Sequence, residues 1–113
     1  MQTETELNDA VQAQRAKARR YEALQGTLKR CQVSVPRREA ALASIAKTVT
    51  SLERADALIT AIEDEPARVQ IGHVLSRHLK DFQVRRDRIA TDLARVQTEL
   101  TLTREQLKDE FNE

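Results

Sequence analysis

Hydrophobic side chains recur along the first half of the chain at alternating steps of three and four residues. Starting at Leu7, this frame continues to Ile59 without a slip, and most of its positions are apolar. The stripe is weak from Ala10 to Lys17. A three–four repeat returns one helix face to the same partner every two turns, which is the pattern of a coiled coil. The densest part of this stripe holds Leu42, Ile45, Val49, Leu52 and Ile59. The pattern predicts a long helix over about residues 5–63.

A proline lies within this predicted helix. Pro36 removes one helical hydrogen bond and crowds the preceding turn, at a typical cost of roughly 3 kcal/mol. The segment before it, residues 32–35, is a poor helix former, and Ser34 could cap a new helix. Two interpretations follow: one kinked helix over 5–63, or two helices broken near 32–35. The unbroken frame of the stripe favours the kinked helix.

The last third of the chain repeats the three–four spacing. It predicts a second helix over about residues 80–112, and an antiparallel hairpin of helices would bury the two stripes together. The positions of this second stripe are Phe82, Ile89, Leu93, Val96, Leu100 and Leu107, with Phe111 one turn further on.

The segment between the two helices, VQIGHVLSRH over residues 69–78, has a different pattern. Val69 and Ile71 alternate with polar residues, which is the period of a half-buried strand. The sequence therefore predicts a β-hairpin over about residues 67–78, with its turn at Gly72 and His73. Unpaired strand edges seek another chain, so we expect this hairpin to drive oligomerisation. Its residues would be Val69, Ile71, Gly72, Val74 and Leu75. The alternative is a plain loop between two helices.

Charge and motif content exclude several classes of function. Acidic and basic residues nearly balance, with a net charge of +1, so we expect neither nucleic acid nor a membrane as partner. The chain contains no phosphate-binding loop motif, nucleophile–base set or metal-ligand set. We therefore expect no enzyme activity, catalytic residue, cofactor or metal. The single cysteine, Cys31, fits a reducing compartment, and the expected location is the cytoplasm.

Three segments carry a resemblance to a known family. They are LERADALITAIEDE (52–65), VQIGHVLSRH (69–78) and LKDEFNE (107–113). Together they resemble the β-type subunits of prefoldin, and among these most nearly the eukaryotic subunit-4 group. The resemblance covers about residues 38–113 of a single domain. The chain departs from the family pattern at Val69, His73 and Leu75.

The resemblance implies a subunit of the hexameric prefoldin co-chaperone. Such a subunit would assemble with other prefoldin subunits, hold unfolded clients such as actin and tubulin without ATP, and pass them to the cytosolic chaperonin. From the residues themselves, we expect the loosely packed ends of the two helices to bind clients. The candidates are Leu7, Val11, Leu107 and Phe111.

A second hypothesis from a different class needs no strand. The chain would be a structural coiled-coil adaptor or tether, or a component of a secretion apparatus, that dimerises through the stripe over residues 7–59. The partners that co-purify with the protein would separate this hypothesis from the co-chaperone.

Overall fold

The computed structural model describes residues 2–113, with side chains from residue 3, and almost all of these residues are helical. Helix α1 runs over Gln2–Leu58, a short 3₁₀ turn over Ile59–Ala61, and helix α2 over Glu65–Phe111. No strand occurs within residues 2–113. The prediction of a mainly helical protein with two long helices is confirmed, and the predicted β-hairpin over 67–78 is wrong.

The hairpin prediction failed because the helical period extends through the segment. Counting back from Phe82 by the same three–four rule reaches Leu79, Leu75 and Gly72, and all of them are half-buried. The residues whose alternation suggested a strand lie on the exposed side of α2: Val69, Ile71 and Val74. β-Branched residues lower helix stability only by a few tenths of a kcal/mol each. An isolated pair of strands would have left two open edges, so the helix is favoured.

The acidic segment before Pro66 separates α1 from α2 and forms the start of α2. Residues 62–64 are the only non-helical break between Gln2 and Phe111. The Arg68 amide donates to the Asp64 carbonyl at 2.9 Å, which is the first backbone bond of α2. Pro66 lies in the first turn, where its missing N–H would have had no helical partner. Acidic residues are favourable at a helix N-terminus, so this segment initiates α2 as well as ending α1.

Helix α1 continues through its proline. Pro36 lies inside the helix, and residues 32–35 are helical, so the structure shows no break there. The strong helix formers on both sides and the packing of the stripe compensate for the lost hydrogen bond.

The chain divides into two compact units, of which the first comprises residues 35–95. Here the second half of α1 packs against the first part of α2. A Cβ atom built on Gly72 would lie 4.0 Å from Cδ1 of Ile59, so the two helices lie close together near the break. Val49 and Leu93 are buried in this unit. Stripe residues from both helices thus form its core, in a coiled-coil-like arrangement.

The second unit comprises the first part of α1, up to Ser34, and α2 from Val96 onward. Its helices are antiparallel, because Tyr21 meets Phe111 while Cys31 lies near Glu99. Burial raises the pKa of the Cys31 thiol, with the charge of Glu99 as a smaller cause. The buried side chains of this unit come from both helices: Leu24, Cys31, Val96, Thr103 and Leu107.

Replacing Gly72 by alanine tests the helical assignment of the middle segment. Gly72 has no positive φ, and the added methyl group would make an ordinary contact with Ile59. We expect Gly72→Ala to raise the free energy of unfolding by about 0.5–1 kcal/mol, as in other helix interiors. Thermal unfolding followed by circular dichroism measures this change.

Gly26→Ala in α1 is the matched control for this substitution. Its added Cβ would lie 3.6 Å from a flexible arginine terminus, Nη1 of Arg30, so we expect a similar gain. Loss of stability in Gly72→Ala alongside a gain in Gly26→Ala would show that residue 72 lies in a turn.

Candidate interaction surface

The first five turns of α1 are exposed, and α2 contacts only the last of them. Every described side chain from residue 3 to residue 20 is exposed, and 66% of the Leu7 surface is open to solvent. The three–four frame nevertheless continues through this segment, and the first half-buried member is Tyr21. We give the name open stripe to the exposed frame positions Leu7, Ala10, Gln14 and Lys17 together with Val11 beside them.

Aromatic packing marks the boundary between the open stripe and the covered one. The rings of Tyr21 and Phe111 lie 5.1 Å apart, edge to face, at 67°. Lys17 Nζ lies 5.7 Å from the centre of the Phe111 ring, within range of a cation–π interaction. Edge-to-face pairs are worth about 0.5–1.5 kcal/mol beyond their buried area, so this contact anchors the end of α2 on α1.

Polar contacts surround the aromatic pair. The Tyr21 hydroxyl donates to Oε1 of Glu113, and Gln25 Nε2 donates to Oε2 of the same carboxylate at 2.6 Å. Arg20 Nε lies 3.2 Å from Oε2 of Glu110, with both side chains almost half exposed. Such an exposed ion pair contributes at most about 1 kcal/mol. The contacts of Glu113 are therefore the more specific link between the two helices.

Helix α2 ends here through a local capping motif. Asn112 has a φ of 60°, in the left-handed region that asparagine tolerates better than most residues. Its amide donates to the Lys108 carbonyl at 3.0 Å, which satisfies one of the last free carbonyls of the helix. The sequence of the last turn thus stops the helix beside Tyr21.

These contacts raise the pKa of the Tyr21 phenol. Its hydrogen bond to Glu113 is the main cause of a pKa raised above the ordinary value of 10.0, and burial and the charge of Glu113 act in the same direction. The hydrogen bond from Gln25 opposes the shift. The hydrogen bond from Tyr21 to Glu113 therefore requires that the phenol be protonated.

The predicted seam residues all lie on the inner faces of the helices. Val49, Leu93 and Val96 are buried. The half-buried members are Leu42, Ile45, Leu52, Ile59, Ile89 and Leu100.

The residues predicted to bind clients fall into two groups. Leu7 and Val11 are exposed on the open stripe. Leu107 has only 3% of its surface exposed, and Phe111 is half-buried against Tyr21. The structure therefore places Leu107 and Phe111 in the packing between the helices and leaves only Leu7 and Val11 open to a partner.

The sequence-based predictions missed the polar contacts of Glu110 and Glu113. Tyr21 was in the predicted frame, but the frame does not say which residue of α2 faces it. The pairing of Phe111 with Tyr21, the two aromatic stripe residues at the open end, is the signal that could have set the register.

No protein-family model matches the chain, and neither curated proteins nor solved structures include a significant match. Within residues 2–113, no group of three or more His, Cys, Asp or Glu side chains is placed to hold a metal ion. None of the helices described has the length and apolar character needed to cross a membrane.

Alkaline titration tests the contact between Tyr21 and Glu113. Tyr21 is the sole tyrosine of the chain, so tyrosinate absorbance reports this group alone. We expect its midpoint to lie above 10.0 in the folded protein. A raised pKa stabilises the fold fully below the unfolded value, and this contribution is lost as pH rises through the folded midpoint. In denaturant the midpoint should return to about 10.

Two variants control this titration. Glu113→Gln removes the negative charge and weakens the hydrogen bond, so the midpoint should fall toward 10.0. Glu105→Gln, on an exposed part of α2, should leave it unchanged. Equal midpoints for the folded and denatured protein would show that Glu113 does not contact Tyr21.

Truncation of Leu107 separates a packing role from a binding role. We expect Leu107→Ala to lower the free energy of unfolding by about 2–5 kcal/mol, as for other buried leucines. Leu102, in the same helix and 53% exposed, is the matched control. Its truncation should change stability by less than about 0.5 kcal/mol. Chemical denaturation of the two variants makes the comparison, and equal stabilities would contradict the burial of Leu107.

Proposed function

We propose that this protein is a structural coiled-coil adaptor or tether that binds a partner helix through the open stripe. One observation carries the proposal. The frame whose positions are buried or half-buried from Tyr21 onward continues through residues 7–14, where every side chain is exposed.

The evidence for a docking face is that Leu7 and Val11 share one face of α1, and their exposure alone would be weaker evidence. Single apolar side chains on a protein surface are common and need no explanation. Leu7 and Val11, however, are four residues apart and share one helix face. Leu7 belongs to the frame that reaches Tyr21, and Val11 lies beside that frame. This is the face on which α1 already binds a helix further along. A second helix laid on it would contact Leu7, Ala10 and Val11, with Gln14 and Lys17 as polar positions.

The low intrinsic stability of the exposed helical segment, residues 3–17, also favours binding to a partner. A helix of about 15 residues is marginal in water without tertiary contacts. Residues 3–17 of α1 are helical, but their side chains are exposed. Binding of another helix would bury Leu7 and Val11 and stabilise the segment, since burial of a leucine or valine side chain contributes about 1.5–3 kcal/mol.

Two features on which the co-chaperone hypothesis depended are absent from the described residues. The resemblance implied assembly into a hexamer through strands over residues 67–78, and this segment is helical. Of the four residues expected to hold clients, Leu107 is buried. The open stripe remains compatible with an adaptor, which needs no strand.

Site-specific photocrosslinking in cells of the native host tests the proposed function. A photoreactive side chain at position 7 or 11 should crosslink to one defined helical segment of a protein. The same group at position 33 is the matched control, because Val33 is exposed on α1 but lies off the stripe. We expect no crosslink from that position. The double variant Leu7→Ser, Val11→Ser should lose the partner, while Val33→Ser should keep it.

Two results would contradict the adaptor function. One is the absence of any crosslink from positions 7 and 11. The other is an equal yield from position 33, which would indicate random collision instead of a docking face.

A further inference from the structure

We infer that the outer side of α2, just after the helix break, binds an acidic amphipathic helix of another protein. The surface, which we call the cationic face, consists of five exposed side chains of α2: Val69, His73, Val74, Arg77 and Lys80. It lies wholly within the unit of residues 35–95. An adaptor or tether needs two contacts, and the open stripe supplies one of them. The cationic face goes beyond the proposed function by supplying a second.

The helical period places the basic side chains away from α1. Arg77 lies two residues from Leu75 and two from Leu79, which are both half-buried. At 3.6 residues per turn, it therefore projects about 160° around the helix from each of them. His73, two residues before Leu75, lies on the same outer side, and Lys80 follows Arg77 at a spacing of three residues. These side chains form one line along the outside of the hairpin.

Exposed apolar groups accompany this line on both sides. Val69 and Val74 are 52% and 51% exposed. They lie about 120° and about 100° from Leu75 in opposite directions around the helix, so they flank the line from His73 to Arg77. The same side chains line an open groove on the surface of α2. A partner laid along the line thus buries apolar surface on both of its edges.

The charge of the surface selects the chemistry of the partner. No acidic residue occurs between Pro66 and Lys80. Arg77 and Lys80 have no ion-pair partner among the described residues. Arg68, the third fixed cation of this stretch, is half-buried and donates to the Ile62 carbonyl. A docked chain therefore meets two free cations, and carboxylates are the protein groups that complement them.

The arrangement of the groups favours a protein helix over other anionic partners. Helices that lie in a membrane interface bury Trp, Phe or Leu on one face and keep their cations on the other. Here cations and valines share one face. A phosphate backbone would pair with Arg77 and Lys80 but would leave Val69 and Val74 without apolar contacts. A helix that carries both carboxylates and apolar side chains satisfies both kinds of group.

The surface is short, and its length sets the expected affinity. Val69 and Lys80 are about 17 Å apart along α2, which is three helical turns. Acidic residues return beyond Lys80, at Asp81 and Asp87. We therefore expect a dissociation constant on the order of 100 µM at low salt, and a higher Kd as salt screens the charges.

A synthetic peptide of defined chemistry tests the inference on the full 113-residue chain. The probe is a helix of three heptads, about 21 residues, with leucine at positions a and d and glutamate at e and g. The matched peptide has lysine in place of each glutamate. Fluorescence anisotropy of the labelled peptides measures the Kd. We expect the acidic peptide to bind and the basic peptide not to bind.

Charge reversal locates the binding surface. Arg77→Glu combined with Lys80→Glu should raise the Kd for the acidic peptide about tenfold or more, because two attractive pairs become repulsive. Arg104→Glu combined with Lys108→Glu is the matched control. It makes the same change in net charge on exposed residues of α2, where Glu105 and Asp109 already accompany the cations. Because these residues lie several Debye lengths from Lys80 along α2, the Kd should change by less than about twofold.

Truncation of the two valines tests the apolar part of the contact. Val69→Ala combined with Val74→Ala should raise the Kd about three- to tenfold, because less apolar surface is buried. An unchanged Kd, together with tighter binding to a DNA duplex of about 20 base pairs or to vesicles that contain phosphatidylserine, would assign the surface to phosphate groups and overturn the acidic helix. The inference is also wrong if the acidic peptide fails to bind at about 0.5 mM chain, or if both charge reversals weaken it equally.

The peptide titration and the crosslinking of the open stripe fail independently. The double variant Leu7→Ser, Val11→Ser should bind the acidic peptide as wild type does. If it loses the peptide while the variant at Arg77 and Lys80 keeps it, the peptide binds the open stripe, and the second surface is wrong. Absence of crosslinks from positions 7 and 11 would refute the proposed function and leave the cationic face standing. All the substituted side chains are exposed, so circular dichroism should show unchanged helicity in every variant.

Discussion

The mutual burial of two narrow apolar stripes is the interaction on which this protein depends. A single helix with one such stripe cannot bury it alone, and a helix gains most of its stability from tertiary packing. In each of the two units, stripe residues of α1 are covered by stripe residues of α2. The core is correspondingly thin: no side chain in the described part of the chain is less than 2% exposed. A protein built in this way presents long helix faces, and its function is most naturally sought on them.

The end of α2 determines which part of α1 is left exposed. At Phe111 the chain uses an aromatic contact, the carboxylate of Glu113 and an asparagine cap to stop α2 at a defined point on α1. The stripe of α1 does not stop there. The open face is therefore a consequence of two sequence signals: the frame of α1 continues toward Leu7, and the capping motif ends α2 at Phe111.

Periodicity was enough to predict most of the fold. The frame counted from Leu7 coincides with the buried face of α1 from Tyr21 onward, with one exception: the structure half-buries Ala55 where the frame has Asp56. The middle segment was mispredicted although it obeyed the same rule through Leu75 and Leu79. Two local signals, the β-branched alternation around Ile71 and the glycine at position 72, indicate a strand, whereas the segment follows the helical period of the whole of α2.

The periodicity of the stripes does not predict the register in which the two helices pair. A stripe that repeats every three or four residues can pair with another stripe at several offsets of similar energy. The short break at residues 62–64 and the specific contacts of Tyr21 select one of them. For that reason the candidate surface was only half identified from sequence: Leu7 and Val11 follow from their exposure at a helix end, whereas the roles of Glu113 and Leu107 depend on the offset.

The contact between Tyr21 and Phe111 offers the most direct test of this account. The two rings are 90 residues apart in sequence and 5.1 Å apart in the structure. Because the chain has a single tyrosine and two phenylalanines, a nuclear Overhauser effect between Tyr21 and selectively labelled phenylalanine can be assigned without ambiguity once Phe82 is replaced by leucine. The account predicts a strong signal that arises within one chain, as judged from mixed-label samples. Its absence in a folded, helical protein would contradict the antiparallel pairing of the two stripes.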